Sequence, residues 1–478
     1  MPSSLASLLW FIFLVLLVRY DPARDRDASV TLWIPTIWIF FTASRLPAQW
    51  LGGQVGTAAQ ALEEGNPLDR IIFSSLILLS LIVLASRPFN WNRFVVRNFA
   101  LIALIGFALT SALWSDFPLV SMKRWFRDLG NYLVILVVLT DRRPFEAVVT
   151  LLRRVCYLLI PLSVLLIKYY PYLGKHYSEW TGAAEYVGAT TSKNMLGVLC
   201  LVSGIFFFWD TLRLWPERKD RQKRRVLWVN GIFIWMTLWL LNLSSSATST
   251  ICLTMGCLVL LAANTTFSRR HPGFLKFMIP TAFCVYLILA IGFDVNDNLA
   301  GAVGRDPTLT GRSNIWKTVL STHTNPIVGA GYESFWLGDR LKYVWRFAGR
   351  VNEAHNGYLE LYLSLGVIGV SLLLFYMIAC YLNICKKLLP SFKLASLALA
   401  LWTMILFYNM TESAAFRGQL IWVIFVLLMI VVTAPLPVEQ PVLAADEKMH
   451  GKFPVTERFA VGQRDKIPVA LNRGQAGS

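Results

Sequence analysis

Charge is what this 478-residue chain has least of. Asp, Glu, Lys and Arg together make up 15% of it, where a soluble domain carries about 25%. With 56% apolar residues and a mean hydropathy of +0.54, too little polar surface remains to cover a water-facing fold. Intrinsic disorder, a disulfide-stapled secreted scaffold and a soluble enzyme with one membrane tail are excluded. The apolar residues run the whole length in blocks of roughly 15–20, the length of a helix that crosses a bilayer core. Acidic residues are scarcer than basic ones, 28 against 45, for a net charge of +17. Basic residues collect in the cytoplasmic loops of membrane proteins, so this excess does not imply nucleic acid. The seven cysteines lie in or at the edges of apolar blocks, without metal-ligand company, and read as small packing residues. No D-x-D-like acidic pair and no histidine–carboxylate cluster is visible in the outer loops, so neither a metal nor a cofactor is expected.

What is present is a succession of thirteen apolar blocks, near 4–18, 30–43, 71–86, 99–114, 129–140, 155–170, 190–210, 226–243, 247–263, 277–293, 357–385, 394–410 and 419–433. The expected fold is an all-α polytopic integral membrane protein of twelve or thirteen transmembrane helices. The first block has neither a basic lead-in nor an A-x-A-like cleavage site and reads as a retained span. Alternate short loops hold 23 Lys and Arg on one side and 7 on the other. The basic set, with Arg213–Arg225 its strongest member, is assigned to the cytoplasm. The transmembrane domain is then 1–433, with a long extracytoplasmic loop, 294–356, inserted in it. Residues 434–478, rich in Pro, Gly and charge, read as a disordered cytoplasmic tail.

The long loop carries too many aromatics, Trp316, Phe335, Trp336, Trp345 and Phe347 among them, for simple disorder, and is expected to fold as a small subdomain with short helices. Gly311–Leu320 has amphipathic spacing, with Trp316 at headgroup level. Asn325–Gly331 must turn sharply. His355, one of five histidines, stands where the loop meets the longest apolar helix, with Tyr358 on its face and Asn356 and Glu360 on the neighbouring one. Either these residues form a site, or His355 and Asn356 cap the helix while Glu360 snorkels outward. Gly366 and Gly369 are expected to continue the helix and permit close packing. Thr190–Asn194 opens the seventh span, where Lys193 could complete an anion cradle or only snorkel. Arg312, the cluster Lys123, Arg124 and Arg127, and Arg417 are the other outer cations.

Gly-Arg-Ser…Trp (311–316), Asn-Pro-Ile-Val-Gly-Ala-Gly (325–331) and Ala-His-Asn-Gly-Tyr-Leu-Glu…Gly-Val-Ile-Gly (354–369) resemble the signature region of the O-antigen ligase/polymerase superfamily. Trp-Ser-Asp-Phe-Pro (114–118) with Lys123-Arg124, and Gly188–Gly197, extend the likeness. The resemblance implies glycosyl transfer from a polyprenyl-diphosphate-linked glycan to a sugar or glycolipid acceptor. It places this at the outer face of the bacterial plasma membrane, alongside other polysaccharide-assembly proteins. By the same resemblance His355 is the functional histidine and Arg312 the loop arginine, while Lys193 stands near where ligases place another arginine. Diphosphate is a good leaving group, so such an enzyme needs cations for the departing charge and one base for the acceptor hydroxyl, a role suited to histidine. A lipid-linked sugar transporter or flippase is the competing class. It would favour ionisable residues at mid-membrane and an internal repeat.

Overall fold

The computed structural model of the chain describes residues 1–21, 28–52, 66–177, 182–292, 312–388, 390–413 and 418–433. The reading of 434–478 as a tail therefore lies outside the described residues, as do Gly311 and Arg417. All thirteen apolar blocks fall on helices: Ser3–Tyr20, Trp33–Thr42, Pro67–Ala85, Phe99–Thr110, Pro118–Leu139, Pro144–Tyr169, Lys193–Leu214, Arg221–Ser244, Ala247–Asn264, Pro272–Gly292, Gly357–Lys387, Phe392–Thr411 and Leu420–Thr433. The chain is an all-α polytopic membrane protein. Sheet among the described residues is confined to the antiparallel pair Lys175–Tyr177 and Ala184–Tyr186.

Among the described residues, seven helices are long and apolar enough to cross a bilayer, and a pair bent by 88° at Asn98 would make an eighth. The remaining apolar blocks fall on shorter apolar helices or, for Pro118–Leu139, on a helix that carries charge. Leu420–Thr433 has only 14 residues and is buried from Leu420 to Val432. At 1.5 Å per residue it spans about 21 Å. It is packed in protein, so bilayer thickness does not set its length. Pro118–Leu139 is long enough but carries Lys123, Arg124, Arg127 and Asp128 in its first half, of which Arg124 and Asp128 bond to the loop described next.

Gly366 does not continue its helix. Its backbone, at φ +63° and ψ −164°, breaks Gly357–Lys387 in two. A break of this kind strips the preceding carbonyls and the following N–H groups of their helical partners, and in a membrane protein these must be satisfied internally. The turn at 325–331 does so. Ala330 and Gly331 N–H donate to the Leu363 and Ser364 carbonyls, both at 2.9 Å. Val367 N–H donates to Pro326 O at 2.9 Å and Ile368 N–H to Ile327 O at 3.2 Å. The Asn-Pro-Ile-Val-Gly-Ala-Gly segment is thus a plug for a broken helix. A Cβ at Gly366 would meet the Ile327 carbonyl in a backbone region that strains any L side chain. Gly366→Ala is expected to lower stability by at least about 1–3 kcal/mol, read as an earlier thermal transition in detergent. A wild-type melting curve would show that the break is not built in.

The same loop docks on the 111–131 segment. Trp114 Nε1 donates to Val328 O at 3.2 Å, Tyr332 N–H to Ser111 Oγ at 2.9 Å, and the Tyr332 hydroxyl to Asp128 Oδ2 at 2.8 Å. Arg124 donates to the Glu333 carbonyl, and Arg340 pairs with Asp116. Helices Arg312–Leu320 and Gly338–Ala348 complete the loop. They share an apolar cluster, separate from the main core, that includes Ile315, Val319, Phe335, Trp336 and Val344.

Candidate functional site

The site is assembled where two helix ends are joined. Asn356 is the N-cap of the 357–387 helix: its Oδ1 accepts from Tyr358 N–H at 3.1 Å and Leu359 N–H at 3.0 Å, satisfying donors that have no partner within the helix. Its Nδ2 donates to Met410 O at 3.3 Å, and Gly357 N–H donates to Glu412 O at 3.1 Å. Tyr358 donates its hydroxyl to Leu406 O at 2.9 Å. These bonds join the start of one helix to the end of Phe392–Thr411, and so bring His355 to Glu412. Asn356 and Tyr358 are therefore structural here, and the capping role weighed for His355 belongs to Asn356.

His355 sits in the left-handed region, φ +51°, a conformation that needs support in a residue with a large side chain. The support comes from its neighbour. Ala354 N–H donates to Glu360 Oε1, and Ala354 O accepts from Trp316 Nε1 at 2.8 Å. Glu360 is 3% exposed and also accepts from Trp336 Nε1 at 2.9 Å. It does not snorkel outward; it braces the loop under His355. Trp316, half-buried, commits its indole N–H to the Ala354 carbonyl.

Glu412, 6% exposed, is the hub. Arg312 Nη2 lies 2.9 Å from its Oε1, Asn194 Nδ2 donates to both oxygens at 3.3 Å, and His355 Nδ1 lies 3.5 Å from Oε2. Glu353 Oε1 approaches the same Nδ1 at 3.1 Å. Both His355 contacts are ion pairs by distance, without aligned hydrogen-bond geometry. Burial disfavours the imidazolium, but the carboxylates of Glu353 and Glu412 outweigh it, and the His355 pKa is pushed up to about 9. Both contacts engage Nδ1, which leaves Nε2 as the nitrogen available to a substrate.

The remaining cations divide. Arg312 joins the cluster. Lys193 does not: its Nζ lies 2.7 Å from Glu185 Oε1, and the next residue, Asn194, is the one that reaches Glu412. Of the cluster on Pro118–Leu139, Arg124 bonds to the Glu333 carbonyl, Arg127 pairs with Asp128 at 3.2 Å and Lys123 is exposed. Glu412, Glu353 and Asn194 were not singled out from the sequence. The available signal for Glu412 was an acid placed between two apolar blocks, where an ionisable group needs a partner. The expectation that no histidine–carboxylate cluster forms is corrected by the fold: the ligating atoms of Glu353, His355 and Glu412 lie within 4.8 Å of one another, close enough for one metal ion.

A polytopic helical protein with an arginine, a histidine and two carboxylates gathered at one end of its bundle has the parts for chemistry on an anionic, membrane-borne substrate. Residues 231–374, which include Arg312, Glu353, His355 and Glu360, match the family model described as O-antigen ligase. Over 317 residues the chain is 27% identical to the exopolysaccharide production protein ExoQ of Rhizobium meliloti (strain 1021), covering 62% of this chain and 68% of that protein. The resemblance to the O-antigen ligase/polymerase superfamily holds, and these similarities support an O-antigen ligase-like or polysaccharide polymerase role.

Proposed function

We propose that this chain is a membrane glycosyltransferase that extends a surface polysaccharide at the outer face of the plasma membrane. The donor is a polyprenyl-diphosphate-linked glycan and the acceptor a sugar hydroxyl. The observation that carries this reading is the Arg312–Glu412–His355 cluster. The acceptor oxygen bonds to the donor sugar's anomeric carbon as the bond to diphosphate breaks. His355 Nε2 takes the hydroxyl proton, and Arg312 stabilises the charge left on the diphosphate. Glu412 holds both residues in place before substrate arrives. The relative's description as an exopolysaccharide production protein favours a second lipid-linked glycan as acceptor over lipid A–core. Purified protein given only polyprenyl-diphosphate oligosaccharide is then expected to produce a ladder of longer lipid-linked chains. Transfer seen only when lipid A–core is added would make it a ligase instead.

The outward orientation rests on the basic loops. Helix Lys193–Leu214 starts beside the cluster and ends at the basic run Arg213–Arg225, which belongs in the cytoplasm. In intact cells a cysteine at Lys342 is expected to react with an impermeant thiol reagent, and one at Lys219 to react only after lysis. Labelling of position 219 from outside would invert the topology.

The Glu353–His355–Glu412 geometry could admit a metal, yet Arg312 already supplies a fixed cation to Glu412. Transfer is expected to survive excess EDTA. Loss of activity in EDTA, restored by magnesium or manganese, would assign the charge stabilisation to an ion at this cluster.

A further inference from the structure

At the opposite end of the bundle from the His355 cluster is a cavity of about 480 Å³, between the ends of Lys193–Leu214 and Gly357–Lys387 and the start of Phe392–Thr411. Its lining includes the apolar Leu275, Leu388 and Phe392 and the polar Arg213, Lys393 and Ser396. We propose that this cavity binds one anionic phospholipid, with its phosphate against Lys393 and Arg213 and the start of an acyl chain along the apolar residues.

Three observations carry this. First, the two cations differ in a way that suits a binding site. Arg213 is fixed: its Nε and Nη2 lie 3.0 Å and 2.6 Å from Asp210 Oδ1, and its guanidinium lies 5.2 Å from the Trp209 ring and 5.6 Å from that of Phe145. Lys393 is exposed, and no described residue accepts from its ammonium, so that charge is available to a ligand.

Second, Arg213 is anchored by a buried polar network. Asp210 is fully buried and is shared by Arg213, Arg153 (Nη2 2.5 Å) and Asn230 (Nδ2 2.8 Å). Removing one partner of such a network leaves an uncompensated buried charge, so the position of Arg213 is strongly fixed. The one acid in the lining, Glu217, is itself within 3.7 Å of Lys223 Nζ.

Third, the apolar part of the lining favours a lipid over free phosphate. The helix that supplies Leu275 turns Phe274 and Phe277 outward, 47% and 75% exposed, as a face toward acyl chains would be. Basic pockets between helices on the cytoplasmic side of a membrane protein suit anionic headgroups, each Lys or Arg contributing about fivefold in affinity.

The test is native mass spectrometry of the delipidated full chain in detergent, titrated with dioleoyl phosphatidylglycerol or dioleoyl phosphatidylcholine. One phosphatidylglycerol is expected to be retained and phosphatidylcholine not. Lys393→Gln should weaken retention by roughly fivefold and Lys393→Arg should restore it, whereas Lys219→Gln, on the neighbouring basic loop, should leave it unchanged. Lys393 is exposed, so its variants are expected to melt as wild type does. Equal retention of the two lipids overturns the proposal, as does equal weakening by the 393 and 219 variants, which would mean diffuse surface charge. Displacement by millimolar glycerol phosphate would replace the lipid with a soluble phosphate and overturn it as well.

Discussion

His355→Asn is expected to fold and insert normally and to transfer glycan roughly 10²–10⁴ times more slowly, the usual contribution of a positioned acid–base group. Asparagine is the informative replacement because it tolerates the left-handed backbone that His355 occupies, and because the helix keeps its own cap at Asn356. Neither strain nor fraying can then account for the loss. His355→Lys should recover little, since lysine stays protonated unless its pKa falls by several units.

The pH profile gives the same role a second readout. With its pKa raised to about 9 by Glu353 and Glu412, His355 is almost wholly protonated at pH 7, and only the neutral form can accept a proton. The kcat/KM should therefore climb about tenfold per pH unit and level off near pH 9. Glu353→Gln, which removes one carboxylate from Nδ1, should move that break to lower pH. The same shift acts on stability in the other direction. A folded-state pKa raised above the ordinary 6.5 contributes stability that is complete below about 6.5 and is lost as pH rises through about 9. Near-normal transfer by a well-expressed His355→Asn protein, or activity falling toward pH 9, would remove the histidine as base.

Arg312→Ala should also reduce transfer by at least 10²-fold, for a different reason: the departing diphosphate loses its fixed cation. Arg312→Lys should recover part of the activity, because Arg312 meets Glu412 through a single nitrogen that an ammonium can replace, though without the planar fork. The Ala variant should be less stable as well, since among the described residues Glu412 would keep only His355 and Asn194 to compensate its buried carboxylate. Glu412→Gln separates the two effects. It relieves the buried charge in the Arg312→Ala background while leaving the diphosphate without its cation, so the double variant should regain stability but not activity. Full activity in Arg312→Ala would assign the leaving-group charge to other residues.

Much of the candidate site was legible because its parts lie close together in sequence. Ala354 to Glu360 is a single turn of helix with its lead-in, and a histidine, a cap residue and an acid within seven positions are visible in any reading of the chain. Lys193 misled for the opposite reason. A cation at a helix start looks equally available whether it faces a substrate or, as here, a strand that supplies Glu185 at 2.7 Å. Glu412 lies 57 positions after His355, and no periodicity links the two. They meet because Gly357 and Asn356 bond to the end of a helix that returns across the bundle.

The sequence by itself determined the class. An all-helical membrane protein follows from apolar blocks that leave too little polar surface for water, and every block became a helix because backbone N–H and C=O groups in hydrocarbon can be satisfied within a single segment only that way. It also determined that His355 and Arg312 belong to the long loop and its junction. The tertiary structure alone decided which helices keep an exposed apolar face and which, like Leu420–Thr433, are buried in protein, since hydropathy is the same in both surroundings. It decided that Gly366 breaks its helix, because the hydrogen bonds that make the break tolerable come from residues 326–331, some forty positions earlier. And it decided that His355 rests between two carboxylates, one of them brought from a distant helix end, a contact made through space and not along the chain.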